Sequence, residues 1–210
     1  MDNSTRELEN LVRSYEQQSN SMESAPNLTR LASRTLEVLK TTGQDVLSAT
    51  LLIRAYSSNS NCMESASNLA NATCRTIEVL KTTGKDASSA AILARAYSSR
   101  SNCMESASNL ANATCRTLEY LSQKNLDVNV IIERIEKVNK EERKKRKKQY
   151  DLKKDEICQK NSGLIKLAKL FREEVIFKLT NYSLFSASEL CTRVLAQDKT
   201  PKEYKSYDYP

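Results

Sequence analysis

Met22, Met63 and Met104 stand 41 residues apart, and each is followed by Glu-Ser-Ala. The run from Cys62 to Thr76 recurs without a change from Cys103 to Thr117, and Lys-Thr-Thr-Gly closes at Gly43 and again at Gly84. Arg13, Arg54 and Arg95 keep the same interval, as do Tyr15, Tyr56 and Tyr97. Three tandem units follow from this register: 3–43, 44–84 and 85–125. A chain that repeats itself on this scale stacks copies of one supersecondary unit, so that each covers its neighbour's apolar face.

Within a unit the spacing is helical. Leu28, Leu31, Ala32, Thr35, Leu36 and Leu39 recur at i, i+3, i+4, i+7, i+8 and i+11, one face of an amphipathic helix. Asn20 precedes Glu23 by three residues, as Asn61 precedes Glu64 and Asn102 precedes Glu105. This pattern predicts a capping box at each helix start. Gly43 and Gly84 fall where a left-handed residue ends a helix, and Asp45 and Asp86 can cap the next. Val46, Ala49, Ile53 and Tyr56 then line one face of a following helix. With three glycines and three prolines in 210 residues, long helices joined by short connections are expected. Much of the apolar content is alanine, so the core should be thin.

Two architectures fit. The Ser/Asn run from Ser57 to Asn61 is poor helix-forming sequence and would divide each unit into a helical hairpin. Yet Tyr56, Met63, Ala70 and Ile77 hold a seven-residue spacing through it, which suits three long helices in a coiled-coil-like bundle. The expected fold is therefore all-α: either an elongated helical array or an antiparallel coiled-coil-like bundle, with further helices at the C-terminal end.

Composition shifts after Asn125. The first 125 residues carry 13 basic and 12 acidic side chains, the remainder 20 and 14, so most of the net charge of +7 lies in the second part. Val128, Ile131, Ile132, Ile135 and Val138 form a helical stripe, and apolar residues then vanish from Asn139 to Gln149. Residues 126–162 read as a long helix bearing a basic cluster. After Gly163, Leu164, Leu167, Ala168, Phe171, Val175 and Leu179 predict another amphipathic helix. Phe185, Leu190, Val194 and Leu195 predict a short one, all within 163–197. The polar composition of 198–210 predicts a disordered tail.

Two groups of side chains are candidate binding sites. Arg13, Tyr15, Arg54, Tyr56, Arg95 and Tyr97 repeat as a ladder that a protein partner could read, although repetition alone would produce the same ladder as structure. Arg143, Lys144, Lys145, Arg146, Lys147 and Lys148 could bind nucleic acid, direct the chain to the nucleus or contact acidic lipid; the plainer reading is a solvated face. Aromatic residues that would stack on bases are missing there, apart from Tyr150.

Catalytic and metal chemistry finds little to use. The chain has no histidine, no Gly-rich phosphate loop and no nucleophile elbow, so no catalytic residue, cofactor or metal is expected. Cys62 with Cys74 and Cys103 with Cys115 are too widely spaced for a usual zinc site. These four, with Cys158 and Cys191, are expected to be small apolar fillers carrying free thiols. The opening MDNSTRELEN lacks the apolar run of a secretory signal, which predicts an intracellular protein, cytoplasmic or nuclear. Under that expectation the sequons at Asn3, Asn27, Asn71, Asn112 and Asn181 stay unmodified. No stretch approaches the length of a membrane span. The expected role is a non-catalytic helical scaffold that binds a helical protein or its own copy. The alternative is a basic nuclear or nucleic-acid-associated protein acting through residues 137–154, where ten basic residues face three acidic ones.

Overall fold

The computed structural model describes residues 3–19, 22–60, 64–99, 105–160 and 185–197. Every regular element among them is helical: α1 (Asn3–Gln18), α2 (Ala25–Thr42), α3 (Val46–Asn59), α4 (Ala66–Thr83), α5 (Ala87–Ser98), α6 (Ala107–Gln123), α7 (Val128–Lys160) and α8 (Ala187–Ala196). The helices pack in two rows. In the first, α1 lies on α3, α3 on α5 and α5 on α7; in the second, α2 lies on α4, α4 on α6 and α6 on α8. Rungs of α1 with α2, α3 with α4, α5 with α6 and α7 with α8 join the rows.

Of the two architectures, the unit divided at the Ser/Asn run is the one present; the long helix through it, and with it the coiled-coil-like bundle, is not. Helix α3 stops at Asn59, and Ser60 is extended, with φ −74° and ψ 139°. Asn59, its last residue, turns its side chain back on the helix, Nδ2 donating to the Ala55 carbonyl at 2.7 Å, the local bonding that makes asparagine and serine poor helix formers. Tyr56, Ala70 and Ile77 are all buried, so their heptad spacing reflects two helices facing one interior. Met63 lies outside the described residues.

The helix ends follow local chemistry, with one correction. Gly43 and Gly84 adopt φ of 71° and 65° and donate to the carbonyls of Leu39 and Leu80, as a left-handed terminus requires. Asn125 holds the same register at φ 50°; after glycine, asparagine is among the residues that best tolerate this region. Asp45 and Asp86 accept from the Ser48 and Ser89 amides, both at 2.8 Å. The N-caps of α2, α4 and α6, however, are Ser24, Ser65 and Ser106. The caps thus fall four residues beyond Asn20, Asn61 and Asn102, which lie outside the described residues.

The predicted stripe on α2 is its buried face, residue for residue: Leu28, Leu31, Ala32, Thr35, Leu36 and Leu39. On α7, Val128, Ile131, Ile135 and Val138 are buried and Ile132 packs against the same core. Helix α7 runs for 33 residues, roughly 50 Å at 1.5 Å per residue. The other first-row helices have 16, 14 and 12, so α7 outreaches them. The helix predicted from Leu164 to Leu179 and the tail 198–210 lie outside the described residues.

Candidate interaction surface

The ladder expected from Arg13, Tyr15, Arg54, Tyr56, Arg95 and Tyr97 separates into two. All three tyrosines have 0% exposure, while the three arginines are exposed. Residues two apart on a helix point to nearly opposite sides, so one ladder cannot hold both types. As members of an exposed partner-binding face, Tyr15, Tyr56 and Tyr97 are therefore a correction.

Each tyrosine instead belongs to a buried polar relay that crosses three helices. The Tyr15 hydroxyl meets Thr35 Oγ1 at 2.7 Å, as Tyr56 meets Thr76 and Tyr97 meets Thr117. Each threonine donates its only proton to a carbonyl four residues back, that of Leu31, Ala72 or Ala113. Its oxygen then has lone pairs left to accept from the tyrosine O–H and from a cysteine S–H of the following second-row helix. Those thiols are Cys74 at 3.5 Å and Cys115 at 3.7 Å; Cys191 Sγ stands 3.5 Å from Thr117 Oγ1 and donates to the Ala113 carbonyl at 3.4 Å. Burial raises the phenol pKa of Tyr15, Tyr56 and Tyr97 well above the ordinary 10.0. It also raises the thiols of Cys74 and Cys115. These groups stay neutral and serve structure. The described cysteines are free and buried; Cys62 and Cys103 lie outside the described residues, as does the side chain of Cys158.

A second set of bonds links helix starts. The buried Glu64 accepts from Ser60 Oγ at 2.9 Å and, through the same Oε1, from the backbone N–H of Ala107 at 2.7 Å. Glu105 takes the N–H of Ala187 at 2.7 Å. The glutamates predicted to reach back to their own helix thus serve the next one in the row, where a carboxylate suits the positive helix end. Helix α8 receives three kinds of contact that α6 also receives: a carboxylate, a cysteine at the threonine and an arginine. Arg34 bonds Asn71 at 2.8 Å, Arg75 bonds Asn112, and Arg116 bonds Thr192 at 3.3 Å. Sequence reasoning missed that α8 continues the row. The signal was there, since Ser186-Ala187-Ser188-Glu189-Leu190 differs from Ser65–Leu69 only at Glu189. Its spacing departs from the 41-residue period, which hid it.

The outer face of the first row is different. Arg13, Arg54 and Arg95 make no hydrogen bond or ion pair with the described residues, in contrast to the second-row arginines. Beside them stand Leu47 (74% exposed), Leu51 (39%) and Ile92 (47%). These are three of the five large apolar side chains that the described residues expose. An open groove of about 210 Å³ runs from Ile92, Arg95 and Ala96 on α5 to Ile132, Ile135 and Glu136 on α7.

The basic cluster lies within α7. Arg143, Lys144, Lys145, Lys147 and Lys148 are exposed, whereas Arg146 is buried. Desolvation lowers the Arg146 pKa and the nearby Glu142 opposes that. Arg146 is therefore withdrawn from the surface expected of the six. Glu142 also lies 3.9 Å from Arg193 of α8, whose guanidinium stacks 3.9 Å from the Phe185 ring centre.

Among the described residues no group of three or more His, Cys, Asp and Glu side chains could hold a metal ion. No helix there is long and apolar enough to cross a membrane. Comparison with protein-family models, with curated proteins and with solved structures finds no match to this chain.

Proposed function

We propose that the protein is a non-catalytic helical scaffold whose first helix row receives a protein partner. One observation carries this reading. Leu47, Leu51 and Ile92 stand in solvent on two adjoining helices beside arginines that no described residue engages. An exposed apolar patch with polar borders is the usual mark of a binding surface. Polar groups that might otherwise suggest chemistry serve structure: tyrosines and thiols in the relays, and one oxygen each of Glu64 and Glu105 at a helix start. Affinity capture with the full chain, beside a chain lacking residues 44–84, tests the reading. The expected result is a partner that the full chain retains and the shortened chain loses. A full chain that is monomeric and retains nothing overturns it.

A second reading has its own support. Five exposed basic side chains lie close together on α7, and such a run can follow a phosphate backbone. Binding of duplex or single-stranded nucleic acid should then weaken steeply with salt and vanish when Arg143, Lys144, Lys145, Lys147 and Lys148 are neutralised. A response insensitive to salt removes this alternative.

A further inference from the structure

The exposed patch also carries information about what would cover it. Neither α3 nor α5 contains an aspartate or glutamate. On each, an exposed aliphatic residue is followed three positions later by an arginine: Leu51 with Arg54, and Ile92 with Arg95. Residues three apart share a helix face, so each helix presents a greasy spot with a cation one turn on. Because α3 packs on α5, the two pairs lie side by side, separated by the roughly 8–10 Å of packed helices. Asp45 and Asp86 bond the first turns of their own helices; Glu136 of α7 lines the groove beside Ile92 and Arg95 and is itself engaged.

On the reading of the first row as a docking surface, we infer that its occupant is an acidic amphipathic helix of another protein lying across α3 and α5. Its aliphatic side chains would cover Leu51 and Ile92 about seven residues apart, roughly 10 Å along a helix, and a carboxylate near each would meet Arg54 and Arg95. Charge complementarity selects this partner over a basic one, which would bring like charge onto two unengaged guanidiniums. Guanidinium and carboxylate match as a bidentate pair, which fixes register, while the apolar contact supplies most of the affinity.

The test presents the full-length chain to a random-peptide display library with inserts of roughly four helical turns. The enriched sequences are expected to combine aliphatic residues with Asp or Glu three or four positions away. Synthetic versions should bind the R54E/R95E double variant about tenfold more weakly or worse. Peptides with Lys in place of the acids should regain binding to that variant. Both arginines are exposed, so helix content and melting temperature should be unchanged; R54Q/R95Q serves if the reversal disturbs folding. A consensus without acids, no enriched peptide, or equal binding to wild type and both variants overturns the inference. The scaffold reading is judged apart from this, by whether the full chain retains a cellular partner: a partner bound equally by R54E/R95E leaves that reading standing and removes the acidic helix.

Discussion

The Glu64 carboxylate accepts a hydrogen bond at 2.7 Å from the backbone N–H of Ala107, 43 residues further along the chain. The amide belongs to the first turn of α6, where orphan N–H groups need partners. Ser106 satisfies one of them, the N–H of Asn109, at 3.2 Å; Glu64 satisfies another from the preceding rung. Glu105 repeats the arrangement toward α8. Successive second-row helices are therefore tied by a buried ionisable group at their starts as well as by apolar packing.

Replacing Glu64 by alanine should leave the Ala107 amide unsatisfied in the interior. The expected loss is about 1–3 kcal/mol, the cost of a buried polar group without its partner. Glu64→Gln keeps one carbonyl acceptor and should lose less. Urea denaturation followed by circular dichroism measures both. Equal losses would mean that packing rather than the hydrogen bond sets the effect.

The buried tyrosines should make the protein sensitive to alkali. Their folded pKa values lie above the ordinary 10.0 because burial penalises the phenolate. Above that pH the unfolded chain binds fewer protons than the folded one, so stability falls as pH rises. It is full below about pH 10 and declines from there upward. Of nine tyrosines, Tyr15, Tyr56 and Tyr97 should resist ionisation until the protein unfolds. Tyrosinate absorbance recorded with helix content reads this directly. Tyr56→Phe should cost about 0.5–1.5 kcal/mol near neutrality and make the alkaline decline shallower. Ionisation of all tyrosines ahead of unfolding would contradict the relay.

Gly84 has φ 65°, and a Cβ placed there would meet nothing within 4 Å. The penalty of Gly84→Ala is therefore conformational alone, about 1–2 kcal/mol. Asn125→Gly, at the same register, should be nearly neutral, within about 0.5 kcal/mol. Relief at positive φ is offset there by the greater freedom of glycine in the unfolded chain. Thermal melts of the two variants check the contrast. A harmless Gly84→Ala would show that the left-handed turn is not what ends α4.

Cys74 and Cys115 should be protected from alkylation in the native protein. They are 3% and 1% exposed, and burial raises their thiol pKa, which removes the reactive thiolate. Mass spectrometry after iodoacetamide treatment should find them unmodified until denaturant is added. Rapid labelling of either under native conditions would place it outside the core.

Particular residues show how much could be read in advance. The six-residue stripe of α2 and the left-handed turns at Gly43 and Gly84 depend on neighbours within a few positions, and local periodicity captures them. Arg54 and Tyr56 lie on opposite faces, because residues i and i+2 of a helix are turned roughly 200° apart. The exposed Leu51 and Ile92 could not be separated from core leucines by pattern, because α3 and α5 are apolar around much of their circumference.

Helical class, helix polarity and the buried stripe were determined by the sequence itself, because each depends on backbone geometry within one or two turns. The tertiary structure alone decided that Glu64 serves Ala107 and that α8 joins the second row with Glu105 at its start. In those cases a polar group chooses between a local partner and one some 40 or more residues away. That choice rests on the desolvation each alternative suffers once the helices have packed.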